Sequence, residues 1–130
     1  MGQGWSSNSS SSASSSAITI AWDGQGGFIT TGLTRYFVAP YDCTITGWSI
    51  VAEGTNPTCT IDVWKIVSGT SLPTIVDTIT GTVLPYLSTG NVIRSSTLTG
   101  WTVAVTAGDI LGFNIDSVAN ALTIKINLEL

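Results

Sequence analysis

The sequence predicts an all-β domain: an antiparallel β-sandwich or jelly roll of about eight strands, carrying an extended N-terminal arm. Three observations predict it. The closing run 122–130 (LTIKINLEL) sets Leu122, Ile124, Ile126, Leu128 and Leu130 on one face and Thr123, Lys125, Asn127 and Glu129 on the other. A period of two over nine residues marks a strand with one buried face and one wet face. Short apolar or alternating runs then recur along the chain between Gly, Pro and Asp turn signals. No stretch sustains a helical period; a single turn near residues 85–87 is the one helical expectation.

Composition bounds the surface. Of 130 residues, 9% are charged, against about 25% in an average soluble domain, while 20 are Thr and 16 are Ser. Hydroxyls rather than charges must therefore keep the surface in water. Thr also favours pleated sheet through its branched Cβ. The mean hydropathy is positive, so either much apolar area is in the core or some of it meets another subunit. The net charge is −4, with Arg35, Lys65, Arg94 and Lys125 as the cations. That argues against nucleic acid as a partner, which needs a basic patch. No apolar run reaches the length of a bilayer span, so no membrane partner is expected. The N-terminus lacks the charge and apolar pattern of a signal peptide.

Residues 1–16 form a low-complexity Ser-rich arm, and residues 17–130 the sandwich domain. Such a tract cannot bury enough apolar surface to order itself. An ordered arm needs a neighbour to lie on, with Trp5 as its anchor; Trp22 flanks it as a second contact candidate. The first strand is expected at 17–22, with Ile18 and Ile20 alternating, and then a turn at 23–27. Its GQGG spacing lacks the Lys, the Ser/Thr and the helix of a phosphate loop. Strands follow at 28–31 and 33–39, and Pro40 breaks them. Two more, at 44–52 and 58–66, read as hairpin partners across 53–57. Cys59 would then face Val51, leaving Cys43 about 27 Å away along the strand. A disulfide bridges no more than about 7 Å between Cα atoms, so both thiols are expected free. Both faces of 58–67 carry apolar residues, which predicts an interior strand with its second face covered. On that second face Trp64 and Ile66 are candidates for a subunit interface. Residues 68–91 are the least regular, with a short strand expected at 74–80. Strands at 92–98, 101–105, 110–116 and 122–130 complete the set, and Ala107-Gly108-Asp109 turns the chain into 110–116.

The chemistry test is negative. There is no histidine, so the usual base near neutral pH and any Ser-His-Asp or Cys-His nucleophile are missing. Two cysteines cannot build a zinc site, and no Asp-x-Asp-x-Asp-Gly run marks a calcium loop. Carboxylate pairs remain, but Asp23, Asp42, Asp109 and Asp116 occupy turn-like positions where they cap backbone N–H groups. No cofactor and no catalytic residue are expected. Trp48, Trp64 and Trp101 lie in or beside strands and read as core rather than as sugar platforms.

The series YFVAPYDCTITGW, TIDVWK, LPTIVDTITG and SSTLTGWTVAVTAGDILGFNID, closed by an alternating strand, resembles a β-sandwich module of phage virions. That module recurs in minor structural proteins, tail-fibre tips and head-decoration proteins. The likeness covers roughly residues 35–130, and the AGD-then-strand piece is also similar to trimeric C1q- and tumour-necrosis-factor-like jelly rolls. It implies a virion surface component, often trimeric, and no catalytic residue carries over; the apolar, charge-poor composition makes a homotrimer the expectation. Together with the Ser-rich arm starting at Met1, it leads us to expect a capsid decoration protein that attaches through the arm to the major capsid protein or another virion protein. The alternative is a receptor- or carbohydrate-binding tip of a tail fibre.

Overall fold

The computed structural model describes residues 16–130, which form ten strands in chain order: β1 Ala17–Asp23, β2 Thr34–Val38, β3 Cys43–Thr44, β4 Gly47–Glu53, β5 Thr58–Ile66, β6 Tyr86–Leu87, β7 Val92–Ser95, β8 Ala104–Val105, β9 Ile110–Ala119 and β10 Thr123–Glu129. The first strand pairs with the last, the second with the ninth, the third with the eighth, the fourth with the seventh and the fifth with the sixth. Ala17 lies opposite Glu129, Thr34 opposite Asn114, Cys43 opposite Val105, Trp48 opposite Ser95 and Cys59 opposite Leu87. The chain is thus one long antiparallel ribbon with its tip in residues 67–85, rolled up on itself. Two further pairings, β10 with β4 and β9 with β5, close the roll. The result is a jelly roll of two four-stranded sheets, β1-β10-β4-β7 and β2-β9-β5-β6, with β3-β8 as a short third pair.

Alternation drives this closure. In β1, Ile18, Ile20 and Trp22 point inward; in β10, Ile124, Ile126 and Leu128 do. They meet Trp48, Ile50 and Ala52 of β4 on the same sheet, and Ile61, Val63, Leu111, Phe113 and Ile115 of the other. Each fully buried side chain of this size contributes about 1.5–3 kcal/mol of burial. The face expected for 122–130 is therefore the observed one, and β5 is an interior strand, flanked by β9 and β6.

Five local expectations change. β4 and β5 are not hairpin partners: they belong to opposite sheets, and residues 54–57 cross the end of the sandwich. Gly54 (φ 143°) and Asn56 (φ 50°) bend that crossing, and Pro57 is buried within it. Residues 28–31 form no strand, because Ile29 bonds back to the Ala121 carbonyl and turns the segment along the sandwich end. Residues 74–80 hold a single 3-10 turn, Ile75–Asp77, where Asp77 accepts the Thr74 N–H; one bridge, Trp64 to Thr78, is their only ladder contact among the described residues. Residues 86–87 are strand rather than helix, since the chain there pairs with Cys59 and Thr60. Asp116 lies within β9 and accepts Asn114 Nδ2, so it caps no turn.

Candidate functional site

Trp5 lies outside the described residues. Trp22 does not fit the contact role expected of it: at 2% exposure its ring is part of the core, and its Nε1 meets no acceptor among the described residues. Trp48, Trp64 and Trp101 are buried as expected. Trp64 is covered by its own chain. Pro73, Tyr36 and the Trp64 ring converge over Gly112, where an added Cβ would meet each at 3.2–3.3 Å. Ile66 stays half-buried on the outer face of its sheet, in a row with Ile110 and Val38.

That outer face is the first candidate surface. The row Tyr36–Gly112–Trp64 and the row Val38–Ile110–Ile66 run across it. The ribbon tip adds Leu72, Ile75 and Val76, the last 84% exposed. Across these two rows and the tip residues named, no side chain is charged. The exposed members of this uncharged set, Tyr36, Val38, Leu72, Ile75 and Val76, make it a candidate interaction surface.

A buried polar anchor holds the tip in place. Asp62, 4% exposed, accepts Thr78 Oγ1 (2.6 Å) and Thr80 Oγ1 (2.9 Å) on Oδ1, and Trp64 Nε1 (3.0 Å) on Oδ2. All the other carboxylates are engaged as well. Asp23 accepts from the Gln25 N–H, Asp42 from Ala107, Asp77 from Thr74 and Asp109 from Thr106, while Glu53 accepts from Thr123 Oγ1. Asp109 also pairs with Lys65 at 3.3 Å. Arg94 donates twice to Glu129, which holds that carboxyl below its usual range. Among the described residues no group of His, Cys, Asp and Glu is placed to hold a metal ion.

The second candidate surface is at the opposite end of β5, where three crossings meet. Phe28, Gly54, Thr55, Asn56, Asn120 and Leu122 line an open concavity of about 510 Å³. Backbone bonds stitch its walls: Gly24 N to Leu122 O, Ile29 N to Ala121 O and Leu122 N to Glu53 O, at 2.8–2.9 Å. A Cβ on Gly54 would stand 2.0 Å from the Asn120 carbonyl oxygen, so only glycine allows this approach. Sequence reasoning missed this cup. The tryptophans were the candidate exposed aromatics, whereas the ring exposed in the cup is Phe28, 63% accessible, in a segment read as strand. Its legible signals were the adjacent Asn56-Pro57 and the isolated Asn120, residue types suited to left-handed turns.

Both cysteines are free. Burial is the main cause that raises each thiol pKa, pushing Cys59 up to about 11. Cys59 should therefore stay unmodified by a thiol reagent at pH 8 in the folded protein, with half-buried Cys43 reacting first. Unfolding without reductant should release two reactive thiols. The sign of the stability effect follows from the raised value. The neutral Cys59 thiol stabilises the fold fully below pH 9, and that contribution fades as pH rises toward 11. Mass spectrometry that finds a Cys43–Cys59 cross-link would refute the free-thiol assignment.

No family model, no curated protein and no solved structure matches the chain.

Proposed function

We propose that the protein is a non-enzymatic, homotrimeric component of a phage virion surface, a capsid decoration protein whose N-terminal arm clamps the major capsid protein or another virion protein. The observation that carries this reading is the charge-free apolar part of the outer face of the β2-β9-β5-β6 sheet, the rows and tip that hold Tyr36, Val38, Ile66, Ile75 and Val76. Burying such a face between sister jelly rolls fits a chain with few charges, and interface centres are depleted in charge. The engagement of all eight carboxylates in intrachain bonds supports a binding rather than a catalytic role. The net charge of −4 fits partners other than nucleic acid. The threefold state follows from the sequence likeness and the charge-poor, apolar composition, the arm from the Ser-rich tract 1–16, and the head location from the likeness and the arm together.

One reconstitution tests the reading. The full chain, residues 16–130 alone and Val76→Lys are each sized by light scattering and then added to particles lacking the native copy. The full chain should be a trimer and fill the particles. Residues 16–130 should stay folded but lose occupancy, because Trp5 at an interface contributes about 2 kcal/mol or more. Val76→Lys should fall to monomer, since it sets a charge in the apolar contact. A monomeric full chain, or equal occupancy for all three proteins, would overturn the decoration reading. Purified virions carrying only a few copies would move the protein to a tail-fibre tip.

A further inference from the structure

We propose that the cup at the β4–β5, β9–β10 and β1–β2 crossings binds a neutral pyranose, with the Phe28 ring against the sugar's C–H face and the Asn56 and Asn120 amides on its hydroxyls. Single exposed apolar residues are normal on a protein surface. Here three features coincide. The first is the exposed Phe28 ring, with Leu122 beside it in the same concavity. The second is the polar rim: among the described residues the side chains of Thr55, Asn56 and Asn120 make no intrachain hydrogen bond, and each lines the cup. The third is rigidity, because the stitched backbone holds the walls before any ligand arrives.

Each feature selects the same ligand class. A primary amide offers two donors and an acceptor with two lone pairs, and a sugar hydroxyl both donates and accepts. Two amides flanking an aromatic ring therefore match a ring that is apolar on one face and hydroxylated around its edge. No lining residue is charged, which disfavours phosphate, carboxylate or sulfate groups, and none is a metal ligand of the His, Cys or carboxylate kind. The volume of about 510 Å³ lies in the range of small-molecule sites and suits a mono- or disaccharide. Asn56 (φ 50°) and Asn120 (φ 59°) hold left-handed backbone, a conformation Asn tolerates better than most residues, so turn geometry fixes where the amides start. Preformed walls lower the ordering cost of binding. The cup and the Ile66 end of the apolar face lie at opposite ends of β5, about 26 Å apart, so this inference does not rest on the trimer or on the head location.

The test is a titration of the full chain with methyl glycosides of glucose, galactose and mannose and with N-acetylglucosamine. It is followed by saturation transfer to the sugar C–H protons and by shifts of the Phe28 ring and Asn side-chain resonances. At least one sugar should show transfer, with shifts confined to the cup. Phe28→Ala should weaken its binding at least about tenfold. Asn120→Gly and Asn56→Gly keep the left-handed backbone while removing the amide, and they should weaken binding comparably. All three variants should melt close to the parent protein, and Val76→Lys should bind the sugar unchanged. Absence of transfer from every sugar would overturn the proposal. So would binding that Phe28→Ala leaves intact, or tighter binding of glucuronate than of its neutral counterpart.

Discussion

Ile126→Asp should leave no cooperatively folding protein. Ile126 is 0% exposed at the centre of β10, opposite Ile20 on one side and Ile50 on the other. Replacing it removes burial of about 1.5–3 kcal/mol. It also sets a carboxylate among aliphatic side chains with no donor, at a further cost of several kcal/mol. The sum approaches the whole stability of a typical domain, about 5–15 kcal/mol. Neighbouring Lys125 is exposed on the outer face, between Ala21 and Val51, so Lys125→Asp should shift stability by about 0.5 kcal/mol or less. Thermal melts followed by near-UV circular dichroism read both variants. Equal melting temperatures would show that the inward face of β10 is misassigned.

The contrast between these two neighbours also shows which part of the fold was legible. Strands whose inner face is apolar and outer face polar declare themselves locally, as β10 and β1 do through Ile124, Ile126, Leu128, Ile18 and Ile20. β5 declared more, because apolar residues on both faces implied an interior strand with a covered outer side, and the ribbon tip supplies that cover. Pairing was not legible. Residues 44–52 and 58–66 look like a hairpin because a short turn-rich stretch separates them, yet β4 takes β10 and β7 as partners, far away in sequence. Nothing local records the rolling of a ribbon whose two halves match only when the whole chain is paired. The cup was illegible for the same reason: Phe28, Asn56 and Asn120 come from three separate crossings. The outer face was half legible. Trp64 and Ile66 were placed on the correct side of β5, but Trp64 is covered by Pro73 and Thr78 of its own chain rather than by a neighbour.

Asp62→Leu should release that cover. The carboxylate takes three donors at once, from Thr78, Thr80 and Trp64. A leucine of similar size removes the acceptor and keeps the donors. A buried donor left without a partner costs about 1–3 kcal/mol, so the variant should lose roughly 3–5 kcal/mol, less whatever the two hydroxyls recover by rotating to other acceptors. Asp62→Asn separates the contributions. Its amide oxygen can still accept both threonine hydroxyls, but its NH₂ then faces the Trp64 N–H, donor against donor. The expected loss is therefore smaller, about 1–3 kcal/mol. Denaturant melts give the order parent, Asn, Leu. Amide exchange at Ile79, whose N–H bonds the Val63 carbonyl, reports directly on the segment. In Asp62→Leu it should exchange far faster than the core of β9, and Trp64 fluorescence should shift red as the ring meets water. Because Ile75 and Val76 ride on the same segment, the proposed self-association should weaken with it, although neither residue has been altered. Parent-like melting with Ile79 still protected would mean that the packing of Pro73 and Tyr36 over Gly112 suffices to hold the tip. The buried carboxylate would then set the register of the segment on β5 rather than its attachment.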